Sequence, residues 1–207
     1  MLESAARRSA WRALLGVTVI EAAALAWSFH AASTEKIARY VFVPSGTSIG
    51  WIAAAAVTIL YIGYAMRALS FVRTYAFVPR RWREATGLKL FAVPMALVTG
   101  LFEEMFFRRF LMDLAQHHGA GIAEQVGVSA LSFGLVHGVW ALFGGFRAGV
   151  GATISTAILG AALAGVYILS DRSLLPCAAS HIAINLILEP WLILAATSGR
   201  WGASGAS

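Results

Sequence analysis

Glu103 and Glu104 stand side by side in a run that otherwise reads as a membrane-spanning helix, and Arg108 follows four residues later. Two further apolar runs each carry a histidine. His137 lies four residues after Phe133, and His181 lies four residues before Asn185, the only asparagine in the chain. A charge in hydrocarbon costs on the order of 2.5–3.5 kcal/mol even on the mildest scale, so a chain that keeps several ionisable groups at that depth is using them. Four residues is about one helical turn. Glu104 and Arg108 therefore share a face and can pair, whereas Glu103 is rotated about 100° from Glu104, toward a different neighbour. One carboxylate held by an arginine and another left free suits acid/base work. His181 and Asn185, on one face, can aim two donors at one point, as a developing oxyanion requires. Plainer accounts compete with each of these readings. The helix could stop near Phe102 and leave Glu103, Glu104, Arg108 and Arg109 at the interface. His137 could be a hydrogen-bonded packing residue, and His181 with Asn185 a clamp between helices.

The elements that must position these residues follow from composition. Of 207 residues, 59% are apolar and 13% charged, against roughly 45–50% and about 25% in soluble domains. The expectation is an all-α, polytopic transmembrane helix bundle forming a single domain over 1–207. Six segments are long enough to span, at roughly Trp11–Ala32, Ile49–Val72, Leu88–Leu111, Glu124–Phe143, Ala148–Leu169 and Leu174–Thr197. The first is too long for a cleaved signal and is interrupted by Glu21. A basic loop carrying Pro79, Arg80, Arg81, Trp82 and Arg83 separates the second and third spans. The tail after Arg200 reads as frayed. Gly149, Gly151, Gly160, Ala164 and Gly165 let the fifth span pack closely within its own bundle.

The net charge of +6 falls between the apolar segments, where basic loops meet anionic headgroups, and so does not point to nucleic acid. Ten basic residues (Arg7, Arg8, Arg12, Arg73, Arg80, Arg81, Arg83, Lys89, Arg147 and Arg200) collect on one side. Five (Lys36, Arg39, Arg108, Arg109 and Arg172) collect on the other. The positive-inside rule then places both termini in the cytoplasm of a bacterial-type inner or plasma membrane. Cys177, the single cysteine, sits in an apolar run and reads as a small core residue. Glu21 and Glu189 fall near membrane depth as candidates to line a water path, with a kink expected at Pro190. Glu124 reads as a span boundary.

Taken together, Glu103-Glu104-x-x-x-Arg108, Phe133-x-x-x-His137 and His181-x-x-x-Asn185, in that order on three separate spans, resemble the CPBP family. These are intramembrane proteases related to the CAAX prenyl endopeptidases and to bacteriocin-processing enzymes. The resemblance covers about residues 101–185. It implies an endopeptidase acting on a membrane-anchored or lipidated protein, with Glu103 as the general base that activates water. His137 would polarise that water, and His181 and Asn185 would donate to the oxyanion. Glu104 would support, Arg108 would hold the local structure, and Phe133 completes its motif. It also implies C-terminal sorting-signal or CAAX-type processing.

The resemblance implies a glutamate-and-water mechanism with no cofactor. Zinc held by Glu, His and His is the alternative, although no His-Glu-x-x-His occurs on any helix. His30, His117 and His118 fall outside the constellation. From the expected span ends, Glu103 and His181 lie roughly 10 Å below the outer face and His137 about 15–20 Å. The three can meet in the outer half if the fourth helix starts late or tilts. An outward site favours exported substrates. A non-catalytic immunity or scaffold protein is the rival class. A transporter ranks below it, because no repeated halves are visible.

Overall fold

Hydrocarbon offers no hydrogen-bond partners to a peptide group, so an apolar chain that crosses it must satisfy its backbone internally. The computed structural model of the chain describes residues 2–31, 45–69 and 86–197, and among them there is helix and no strand. In chain order these are α1 (Leu2–Ala31), α2 (Ser48–Ala68) and α3 (Thr86–Glu104), then a π-helical stretch at Met105–Met112 that leads into α4 (Asp113–His117). They are followed by α5 (Ile122–His137), a 3₁₀ turn at Gly138–Trp140, α6 (Ala141–Leu169) and α7 (Leu174–Thr197). The loop residues Pro79, Arg80, Arg81, Trp82 and Arg83 and the tail after Arg200 lie outside the described residues, as do Lys36, Arg39 and Arg73.

Five helical stretches are long and apolar enough to span: Trp11–His30, Ser48–Ala68, Lys89–His117, Ile122–Leu169 and Leu174–Ala195. The chain is a multi-pass integral membrane protein. The 48-residue stretch Ile122–Leu169 would reach about 72 Å if straight, at about 1.5 Å per residue, more than twice the hydrocarbon thickness. It is not straight. Gly145 has φ 78° and ψ 177°, a conformation that a side chain would not tolerate. A Cβ built at Gly149 would sit 2.5 Å from that of Ala141, and one at Gly134 would sit 2.7 Å from that of Ala157. Residues so far apart in sequence touch only if the chain doubles back. The expected fourth and fifth spans are thus two antiparallel arms joined at one glycine without a loop.

The third span is longer than its composition suggests. Rather than stopping at Phe102 or Leu111, it runs on through the π-helical stretch and α4 to His117. Counted from these ends, Glu103 lies fourteen residues before His117, and His137 lies fifteen residues after the start of α5 at Ile122. The mismatch expected between these two disappears, while His181, seven residues into α7, meets Glu103 because α7 begins deeper than α4 ends. Pro190 does not end α7, which continues to Thr197.

One core cluster gathers Phe107, Phe133, Leu163, Ile184 and Trp191, and a second gathers Met112, Ala164, Tyr167, Leu174 and Cys177. Cys177 is fully buried, as a packing residue should be. Large apolar side chains such as Ile20, Trp27, Leu60 and Leu131 face outward, where lipid is their solvent. At one end of the bundle Asp113 accepts from Arg172 (2.6 Å) and from the Tyr167 hydroxyl (3.1 Å) and lies 3.6 Å from Arg109. Arg172 also donates to Gln125, tying α4, α5 and the α6–α7 turn together. Glu124 caps the start of α5 by accepting from the Gly121 N–H at 2.7 Å.

Candidate active site

The site forms where α3, α5 and α7 pass one another. Close approach of α3 and α7 depends on Gly100, since a Cβ there would lie 2.7 Å from the Ile182 side chain and 3.3 Å from its backbone nitrogen. That proximity brings His181 against both glutamates. Its Nδ1 donates to Glu104 Oε1 at 2.8 Å, and its Nε2 lies 3.5 Å from Glu103 Oε2. The rotation between adjacent residues does separate the two carboxylates, but not toward different neighbours. They meet opposite nitrogens of one imidazole ring.

Their surroundings differ sharply. Glu104 and Arg108 are both 0% exposed, with Arg108 Nε 3.0 Å from Glu104 Oε2. This contact is an ion pair without the alignment of a hydrogen bond. Arg108 Nη1 donates to Ser129 at 3.1 Å, and its guanidinium carbon stands 4.9 Å over the Phe133 ring, a cation–π distance. Glu103 instead lines a cavity of about 1430 Å³, which Glu104 and Arg108 do not touch. Four interfacial charges were the competing account of this segment. Burial of Glu104 and Arg108 inside the bundle overturns it for that pair.

Phe133 organises the rest. It is fully buried, meets His181 edge-on at 5.5 Å, His137 at 4.6 Å and Phe107 edge-on at 5.1 Å, and so spaces the two histidines. The His137 Nδ1 donates to the Phe133 carbonyl at 2.7 Å. A carbonyl can only accept, so Nδ1 carries a proton, and in the neutral ring Nε2 carries the lone pair. Both histidines and Asn185 reach the cavity with Glu103. Asn185 Nδ2 donates to the Thr99 hydroxyl at 3.3 Å.

Every residue singled out from sequence, namely Glu103, Glu104, Arg108, Phe133, His137, His181 and Asn185, falls in this constellation. Thr99 and Ser129 were missed. Each is a polar residue one turn before a recognised one, Thr99 before Glu103 and Ser129 before Phe133, and that spacing was the available signal. Glu21 and Glu189 also line the cavity, and each has one buried oxygen, Oε2, without a protein hydrogen-bond partner.

The cavity runs from Glu103 and His181 to Ala13, Leu69, Gly144, Phe146 and Arg147. It therefore leads toward the end of the bundle where α2 finishes, α5 and α6 reverse, and Arg12 enters the first span. His117 and His118 are exposed at the far end. Among the described residues, no three His, Cys, Asp or Glu side chains are grouped so as to hold a metal ion. At the site both Nδ1 atoms are bonded, and Glu104 is held by Arg108.

Residues 85–187 match a protein-family model, described as Rce1-like: type II CAAX prenyl endopeptidase Rce1-like. The matched stretch holds all seven singled-out residues together with Thr99 and Ser129. No curated protein and no solved structure matches the chain.

Proposed function

The chain belongs to the Rce1-like family of type II CAAX prenyl endopeptidases, and from that premise we propose that it hydrolyses a peptide bond of a membrane-anchored or lipidated protein by glutamate-activated water. The observation that carries the reading is the division of labour between adjacent carboxylates. Glu104 is dry and committed to Arg108 and His181, while Glu103 meets the cavity beside His181 Nε2.

Glu103 takes a proton from water as the oxygen attacks the scissile carbonyl. His137, with Nδ1 tied to the main chain, offers Nε2 as an acceptor that orients the same water. The carbonyl oxygen gains negative charge, and the Asn185 amide and the His181 Nε2 edge are the groups placed to receive it. Glu104 accepts from Nδ1 and so holds the His181 ring with its Nε2 edge toward the oxyanion. When the tetrahedral intermediate collapses, the C–N bond breaks and Glu103 returns its proton to the leaving amine. No metal enters any step, so a chelator should leave cleavage unchanged. Loss of cleavage on chelation, restored by zinc, would end this version of the mechanism.

The positive-inside rule supports cytoplasmic termini, and burial strengthens it. Among the five basic residues of the minority side, Arg108 is sequestered with Glu104, and Arg109 and Arg172 share Asp113. The cavity leads to the basic end, so substrate enters from the cytoplasmic side. This replaces the exported substrates that depth counting favoured. A volume of about 1430 Å³ exceeds the usual 300–1,000 Å³ of small-molecule sites and accommodates an extended peptide segment. The test has two stages. Membrane-anchored proteins compared with and without this chain identify a processed substrate. Purified chain in proteoliposomes is then assayed on that substrate beside Glu103→Gln. Abolished cleavage in a folded variant supports the proposal, and unchanged cleavage favours a scaffold.

A further inference from the structure

The structure assigns Thr99 as a positioning residue that fixes which face of the Asn185 amide meets the cavity. Thr99 is buried, at 6% exposure, on α3 one turn before Glu103. Its hydroxyl donates to the Met95 carbonyl at 2.9 Å and accepts from Asn185 Nδ2 at 3.3 Å. A threonine hydroxyl has a single proton and two lone pairs. Its other partner, the Met95 carbonyl, offers oxygen alone and takes that proton. With the proton committed to oxygen, the hydroxyl can only accept from Asn185. The amide nitrogen must therefore face Thr99, and the flipped amide would set two acceptors against each other. One Nδ2 hydrogen is consumed and the second remains, on an amide whose plane is set from α3. Asn185 itself lines the cavity.

This role rests, for its kinetic consequence, on the hydrolase reading above. Thr99 touches no reacting atom. It acts through Asn185, and a donor held off the line of the oxyanion loses most of its effect in the transition state while ground-state binding is little altered.

Asn185 is the only asparagine in the chain, which makes the test direct. Selective ¹⁵N-asparagine labelling of the full chain in detergent or nanodiscs yields one side-chain amide. In the native protein one of its two protons should be protected from solvent exchange. Thr99→Val, which keeps shape and removes the hydroxyl, should remove that protection and shift the protected proton, and Thr99→Ser should retain both. A Thr99→Val spectrum identical to native overturns the contact regardless of any activity. In the proteoliposome assay, Thr99→Val should lower kcat on the order of tenfold with KM within about twofold, and Thr99→Ser should recover most of it. In an Asn185→Ala background, Thr99→Val should add nothing further. Equal losses in the Val and Ser variants, or full additivity with Asn185→Ala, overturn the positioning role. Undiminished cleavage by Glu103→Gln would instead sink the hydrolase reading and leave the spectroscopic result to decide the contact.

Discussion

Two ion pairs occupy successive turns of one continuous helix, Glu104 with Arg108 and Arg109 with Asp113. Both join a carboxylate and an arginine four residues apart. The first is sealed, at 0% exposure for both side chains. The second is 22% and 32% exposed and shares its carboxylate with Arg172 and Tyr167. Burial, not residue type, separates their roles. An exposed pair is worth about 0–1 kcal/mol. A sealed pair cannot lose one member without leaving the other charged in a dry place. The inner pair therefore acts as a rigid mount for His181, and the outer one as a tie among α4, α5 and the α6–α7 turn.

The contrast can be sharpened first at the neighbouring carboxylate. Glu103→Gln should reduce the cleavage rate by about 10²–10⁴, with an unchanged melting temperature in detergent. A comparable fall in melting temperature would mean that Glu103 is structural, like Glu104. Next in size is the sealed pair. Arg108→Met should destabilise the fold by about 3–5 kcal/mol, measured by thermal or denaturant unfolding in the same detergent. A cost below about 1 kcal/mol would make the inner pair no different from a surface one. Phe133→Ala removes the ring that spaces the two histidines. It should cost about 3–5 kcal/mol in stability and depress kcat more than KM, so a purely thermal effect would deny it the spacing role. The smallest change is expected at the outer pair. Asp113→Asn should cost no more than about 1 kcal/mol and leave cleavage within about twofold. A large loss of activity there would show that the tie reaches the site.

Much of this was legible in the residue string because the site is built in four-residue steps. Thr99, Glu103 and Phe107 make one stripe, Glu104 and Arg108 another, Ser129, Phe133 and His137 a third, and His181, Asn185 and Glu189 a fourth. Spacing within a helix reports a shared face, which is why the Glu104–Arg108 contact could be anticipated. Contacts between helices carry no such mark. The bonds from His181 to Glu104 and from Asn185 to Thr99 cross 77 and 86 residues of sequence and depend on how closely α3 and α7 approach at Gly100. The spans show the same limit. Hydropathy located the crossings, but composition does not record that the third continues past Leu111 or that the fourth and fifth join without a loop at Gly145. A π-helical stretch has no composition that marks it off from the helix before it, and a reversal at one glycine leaves no polar linker to see.

His137 directs its Nδ1 proton to the carbonyl of Phe133, a main-chain atom on its own helix. The choice of tautomer is thus inherited from the peptide backbone and not from any neighbouring side chain. The cavity residues other than Glu103, Phe133, His137, His181 and Asn185 could be exchanged, to admit a bulkier or more polar substrate, without altering which nitrogen greets the water. Specificity and proton placement can then drift independently, and a catalyst of this design can change its clientele without relearning its chemistry.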